Sequence, residues 1–286
     1  MRRDGVKNME RLQNILAHAG VASRRGAAAL IESGVVTVDG IVVKEPGARF
    51  EDGVEIKVNG KRLAAEEKHR TIVLYKPVGV LSTMSDPFGG KTVADLIYGA
   101  NGQDARSTRT GTGCGANGQD ARSTRVGTGC GMNGQDARST RVAERLVPVG
   151  RLDKDSEGLL LMSNDGTLVN ELTHPRFNHT KTYLVKVAGR WSDEKLRTLR
   201  SPLTLDDGYT IRPVPVEVVE DLGNNVRLLK FVLSEGRKRQ IRKMCSLAHL
   251  VVLTLKRVKV GNFELPPELG PGEWRDLTEA ELGQLR

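Results

Sequence analysis

Sixteen residues in the middle of this chain, Asn101 to Ala116, recur with two changes from Asn117 to Met132, and the first ten residues of that second copy return from Asn133 to Val142. A sixteen-residue period with almost no apolar content can bury no core, and a solenoid needs an apolar face in every unit. Roughly 99 to 141 is therefore expected to be a disordered insertion in a surface loop. The fold must be built from what flanks it. The three copies carry six Arg against three Asp, which leaves an RNA tether open as a second use of the segment. Cys114 and Cys130 recur with the repeat, but neither has a second ligand two to four residues away, so no metal site is expected.

Before the insertion, residues 9–62 read as a self-contained module. Leu12, Ile15, Leu16 and Ala19 recur at helical spacing and Gly20 ends that helix. Ser23 is placed to cap a second helix, Arg24 to Ser33, stopped by Gly34. Short strands follow at Val35–Val38, Ile41–Val43 and Val54–Val58, with turns at Asp39-Gly40 and Asn59-Gly60. Arg24 and Arg25 oppose the helix dipole in the first turn, where RNA phosphates would offset the cost. Residues 63–70 are charged and lack apolar periodicity, and read as a linker. From 71 to 286 strand-like runs (Ile72–Tyr75, Leu159–Met162, Thr182–Val187, Val214–Val219, Val226–Leu233, Val251–Val260) outnumber helical ones (Thr167–Leu172, Asp193–Leu199, Arg239–Leu247). The pattern is α+β, with a large mixed, mainly antiparallel sheet.

The 286 residues leave room for two or three domains, and the formal net charge of +9 favours a polyanionic partner. Aromatic residues are few, so recognition should lean on phosphate contacts and shape rather than on a broad stacking platform. No apolar run approaches the roughly 20 residues of a membrane span, and no secretory signal opens the chain, so no membrane partner is expected. Three cysteines make no disulfide framework, consistent with a reducing cytoplasm.

The richest chemistry lies in Val149-Gly150-Arg151-Leu152-Asp153-Lys154-Asp155-Ser156-Glu157-Gly158-Leu159-Leu160-Leu161. A polar, turn-forming stretch holds an aspartate at the rim of a strand whose apolar run (Leu159 to Met162) marks it as buried; Ser163-Asn164-Asp165-Gly166 reads as the turn that closes it. A carboxylate that reacts while shielded from water needs a nearby cation to keep it ionised. Arg151 is one candidate. Ser234-Glu235-Gly236-Arg237-Lys238-Arg239-Gln240-Ile241-Arg242-Lys243-Met244 supplies others.

Gly150-Arg151-Leu152-Asp153 through Leu161 resembles the catalytic motif of RNA pseudouridine synthases, and Glu235-Gly236 with Gln240-Ile241-Arg242 resembles a second motif of that family. Lys181-Thr182-Tyr183-Leu184-Val185 and the C-terminal Val252 to Leu265 segment match further elements, while Ala248-His249-Leu250 departs from them where the family often has a glycine. Leu12 to Arg25 with Val36 to Gly40 looks like the alpha-L (S4-like) RNA-binding domain. The combination is similar to the RsuA/RluB type, closest to its large-subunit rRNA members.

The resemblance implies isomerisation of one uridine in ribosomal RNA to pseudouridine, without cofactor, on large-subunit rRNA or an assembling subunit, by a monomer. It implies that Asp153 is the catalytic carboxylate, that Arg242 pairs with it, and that Tyr183 stacks on the target base against Leu255. Arg151, His174, Arg176, Arg237, Lys238 and Arg239 would contact the substrate, and Arg24 and Arg25 would hold RNA on the N-terminal module. Whether Asp153 attacks the ribose or abstracts its 2′ proton to give a glycal stays open. The competing class is a non-catalytic rRNA-binding assembly factor, which a degenerate site would favour; Asp153, Tyr183 and Arg242 are all present.

Overall fold

The computed structural model describes residues 9–51, 53–63, 69–99 and 144–285. In the N-terminal module, β1 (Met9–Arg11) leads directly into α1 (Leu12–His18), followed by α2 (Arg24–Glu32), β2 (Val36–Val38), β3 (Ile41–Val42), β4 (Arg49–Glu51), β5 (Ile56–Val58) and β6 (Lys61–Arg62). Ser23 caps α2 by accepting from the Gly26 amide at 3.0 Å. Leu12, Leu16, Ala27, Ile31, Val36, Val38 and Ile56 close a small core. The helices stand where their periodicity put them. The antiparallel pair β1–β4 was not legible, because three residues are too few for an alternation to register.

The larger body contains β7 (Thr71–Lys76), α3 (Val93–Tyr98), β8 (Val147–Val149), β9 (Glu157–Ser163), α4 (Gly166–Thr173), β10 (Lys181–Ala188), α5 (Asp193–Arg200), β11 (Leu203–Thr204), β12 (Thr210–Ile211), β13 (Val216–Asp221), β14 (Val226–Leu233), α6 (Gln240–Leu247), β15 (Val251–Val260), β16 (Phe263–Glu264), β17 (Trp274–Asp276) and α7 (Glu279–Leu285). Nine strands form one sheet in the order β13-β14-β10-β15-β9-β7-β17, with β16 on β15 and β8 on β9. Every pairing is antiparallel except β9 with β15. This is the α+β architecture with a large mixed sheet.

Strand β9 is buried from Gly158 to its end because the sheet is covered on both faces there. Leu159 and Leu161 enter one core with Leu168, Leu172 and Phe263, while Leu160 and Met162 enter another with Val93, Ile97 and Leu146. A strand buried on both faces shows a continuous apolar run. By contrast β10 alternates: Val185 and Val187 pack with Phe231, Ile241 and Met244, and Lys186 lies on the opposite face.

Three local expectations change. Ser163 to Gly166 does not simply close β9, since Asp165 caps α4 by accepting from the amides of Thr167 and Leu168. The linker expected over 63–70 ends before Arg70. Its guanidinium pairs with Asp276 at 2.6 Å and Glu144 at 2.9 Å, partners too distant in sequence for a local reading to find. Where the family often has glycine, His249 adopts a left-handed φ of 52°, so the turn keeps the conformation a glycine would favour. The repeat, with Cys114, Cys130 and Val142, lies outside the described residues. Its described flanks meet: the Tyr98 hydroxyl donates to the Glu144 carbonyl at 2.9 Å and accepts from the Leu146 amide at 2.8 Å.

Candidate active site

Asp153 sits in the turn between β8 and β9, and the turn is fixed from beneath. Ser82 Oγ donates to the Leu152 carbonyl at 2.8 Å and accepts from the Leu152 amide at 3.1 Å. The Gly79 amide donates to the Lys154 carbonyl at 2.7 Å. Lys76 is fully buried and donates through Nζ to the carbonyls of Ser156 (2.7 Å) and Pro77 (2.9 Å). Burial pulls its ammonium down from 10.5 to about 8, while Asp155, Asp153 and Glu157 hold it from falling further. A buried cation thus lies under the aspartate turn, bonded to its backbone at Ser156.

The exit from this turn is equally constrained. Gly158 has φ +103°, and a Cβ there would lie 2.3 Å from the Arg257 carbonyl oxygen. Only glycine lets β9 approach β15 that closely. The buried Arg257 completes the join by donating from Nε to the Leu159 carbonyl at 2.7 Å.

The opposite wall is the segment before α6. Arg239 has a left-handed backbone (φ 55°) and grips Asp155 with both guanidinium nitrogens, at 3.0 and 2.9 Å. Arg242, one turn into the helix, donates Nη2 to the Asp155 carbonyl at 2.7 Å and holds Nε 3.4 Å from its carboxylate. The expected pairing of Arg242 with Asp153 is therefore replaced by a pairing with Asp155. Arg239 instead approaches Asp153, with Nη1 3.9 Å from Oδ2. The reason is position: the turn lifts Asp155 toward the start of α6, where it intercepts both arginines. Their hydrogen bond and charges hold the Asp155 carboxyl below its ordinary value. Asp153 is left about one-third exposed and open to the cleft.

That cleft has a volume of about 850 Å³. It brings together Arg151, Asp153, Tyr183, Arg237, Lys238, Arg239, Arg242 and Leu255 from four separate stretches of sequence. Tyr183 and Leu255 arrive on the neighbouring strands β10 and β15, Leu255 buried and Tyr183 half-buried. His174 and Arg176 do not line it. His174 borders an adjoining cavity, and Arg176 lies over Phe177 at 4.4 Å in the short 3₁₀ turn Pro175–Phe177. Arg24 and Arg25 are exposed at the start of α2, away from the cleft.

Sequence reasoning missed Lys76, Ser82 and Asp155. Lys76 left one signal, a charge at the end of an otherwise apolar strand just before a proline; Asp155 left another, a second carboxylate two residues beyond the first. Ser82 left none. The Cys245 thiol in α6 is buried, which pushes it up to about 12, so it is no nucleophile. Among the described residues no group of three or more His, Cys, Asp or Glu could hold a metal ion, and no helix is long and apolar enough to cross a membrane.

Comparison with known proteins identifies the family to which the chain belongs. Residues 70–247 match the RNA pseudouridylate synthase family, and residues 10–56 match the S4 domain. The chain is 34% identical over 279 residues to a ribosomal large subunit pseudouridine synthase B of Bacillus subtilis, covering 97% of this chain and 96% of that one. It is 32% identical to the protein of the same name from Shigella flexneri, covering 97% and 82%. A crystal structure of a pseudouridylate synthase superposes with a TM-score of 0.59 at 23% identity, over 96% of this chain and 99% of that chain, which supports the fold.

Proposed function

Because this chain belongs to the RNA pseudouridylate synthase family, we propose that it isomerises one uridine of ribosomal RNA, in the large subunit, to pseudouridine, acting as a cytoplasmic monomer with Asp153 as the reacting carboxylate. The observation that carries the reading is the cleft itself: an open aspartate, fixed through its backbone, faces an arginine wall, with an aromatic ring and an apolar side chain from the adjoining strands.

Such a site suits a nucleotide taken out of its stack, an excursion of a few kcal/mol offset by stacking and phosphate contacts. The base would lie on Tyr183 with Leu255 as its apolar wall. Arg151, Arg237 and Lys238, all exposed at the rim, would take phosphates. Asp153 then either attacks C1′, releasing uracil with the glycosidic electron pair, or removes the 2′ proton so that a glycal forms as uracil leaves. The freed ring turns in the pocket and bonds to C1′ through C5, displacing the Asp153 carboxylate on the first route and with the proton returned to C2′ on the second, after which C5 gives up its proton. Arg239, with Nη1 3.9 Å from Asp153 Oδ2, would face the reacting carboxylate from the arginine wall. His174 and Arg176 would meet RNA outside the catalytic cleft, and Arg24 and Arg25 would hold it on the N-terminal module.

Mapping pseudouridines in rRNA from cells with and without this gene tests the reading. One uridine that loses its modification, and regains it on expression of the protein, supports it. An unchanged map, with the protein still bound to ribosomal precursors, would favour the non-catalytic assembly factor.

A further inference from the structure

Beside the catalytic cleft lies a second cavity, about 320 Å³ in volume, which shares Thr173, Gly236 and Arg237 with it. Its far wall is constructed rather than incidental. The Arg237 guanidinium stands 3.4 Å over the ring of Tyr209. The Tyr209 hydroxyl donates to Glu235 at 3.0 Å, and Gln240 accepts from the Arg237 amide at 3.0 Å while its own amide reaches Glu235 at 3.5 Å. Two further side chains, Glu235 and Gln240, thus lock a stacked cation–aromatic pair at the mouth between the two cavities. Lys181, also lining the cavity, is half-buried. Its Nζ donates to the His179 carbonyl at 2.8 Å, and among the described residues no carboxylate lies within ion-pair distance of it. A cation so placed is suited to an anion from outside the chain.

We propose that this cavity receives the nucleotide adjacent to the target uridine on the same RNA strand, its base against the Arg237–Tyr209 pair and the linking phosphate on Lys181. The inference rests on the catalytic reading above and adds Tyr209 and Lys181 to the substrate contacts. Size and neighbourhood support it: the cavity is of the order of one nucleotide, and the two spaces meet at Arg237, as two consecutive nucleotides of one backbone require. The Arg237 guanidinium, held flat on Tyr209, offers its outer face as a plane on which any base can stack.

The test uses a synthetic RNA fragment spanning the mapped uridine, with an abasic nucleotide on its 5′ or its 3′ side. Wild-type kcat/KM should fall roughly tenfold for an abasic site on one side only, the order expected for one base stack. Tyr209→Ala should lower turnover of the intact fragment by a similar factor and show no further loss on that abasic fragment, whereas Tyr209→Phe should retain the sensitivity. Losses that multiply, or no loss with either abasic fragment, would overturn the proposal. Because Tyr209 also borders a hydrophobic core, a second arm avoids it. Replacing the linking phosphate by an uncharged methylphosphonate should slow the wild type and leave Lys181→Met unaffected, and equal slowing of both would count against the site. A wild-type protein that turns over no fragment would remove the catalytic reading itself, a result distinct from either failure here.

Discussion

The turn that carries Asp153 and the segment that carries Arg237 to Arg239 face each other across one cleft, yet they are held in opposite ways. The aspartate turn is fastened through its backbone, by the buried Lys76, the half-buried Ser82 and the amide of the exposed Gly79. The arginine segment is fastened through side chains, and Arg239, itself in a left-handed backbone conformation, depends on a half-exposed Asp155. Bonds to a backbone from buried donors fix position, which proximity catalysis requires. Exposed ion pairs are weak and exchangeable, which suits groups that must release one anion to take another. On the proposed function, the first wall would carry the chemistry and the second would capture the substrate.

The largest expected effect is on the fixed wall. Lys76→Met removes both carbonyl contacts under the turn, and a shift of about 1 Å in Asp153 would lower kcat by roughly 100-fold with RNA affinity preserved. The same lysine gives a pH test. Its folded pKa of about 8 lies below the 10.5 of the unfolded chain, so the unfolded state binds more protons between those values and stability rises with pH there. Wild type should gain up to about 3 kcal/mol relative to Lys76→Met as pH rises from 8 toward 10.5, measured by denaturant unfolding. A flat difference would mean that burial does not perturb this ammonium.

A smaller effect is expected where the two walls touch. Asp155→Asn frees Arg239 and Arg242 from their shared carboxylate. Turnover should fall about tenfold as the arginines move onto Asp153 or the RNA, while affinity for rRNA stays equal or rises because two cations become available. A loss of affinity without loss of kcat would break the division of labour. Ser82→Ala should cost about 1–2 kcal/mol of stability, from two lost hydrogen bonds to Leu152, and lower kcat only a few-fold. Smallest in its effect on chemistry is deletion of residues 1–62. It should leave kcat unchanged, weaken RNA binding and flatten its salt dependence, as phosphate contacts by Arg24 and Arg25 are lost. An unchanged salt slope would mark those arginines as an ordinary solvated face.

Legibility in the sequence followed the same division. Strands β14 and β15 coincide with their sequence-predicted bounds, because alternation or a long β-branched run leaves a direct trace. Helices α3 and α7 were not foreseen: six or seven residues give too few turns to establish a period, and α3 owes its start to the Thr92–Asp95 capping box. At the site, Asp153, Tyr183 and Leu255, each found in a different motif, line one cleft. The partner of Arg242 was not legible, since Asp153 and Asp155 differ by two residues and only the course of the turn decides which one meets α6. Lys76 and Ser82 act on backbone atoms of a segment some 70 to 80 residues away, and a carbonyl oxygen leaves no letter in a sequence.

On the proposed function Asp153 performs the chemistry while the arginine wall holds the RNA. Asp153→Asn keeps the size of the side chain and removes its charge, so single-turnover conversion of an rRNA fragment, measured beside equilibrium binding of the same fragment, separates the two roles. The predicted result is no detectable pseudouridine with a Kd within about threefold of wild type, a difference of under 1 kcal/mol. Measurable turnover by the asparagine variant would contradict the claim.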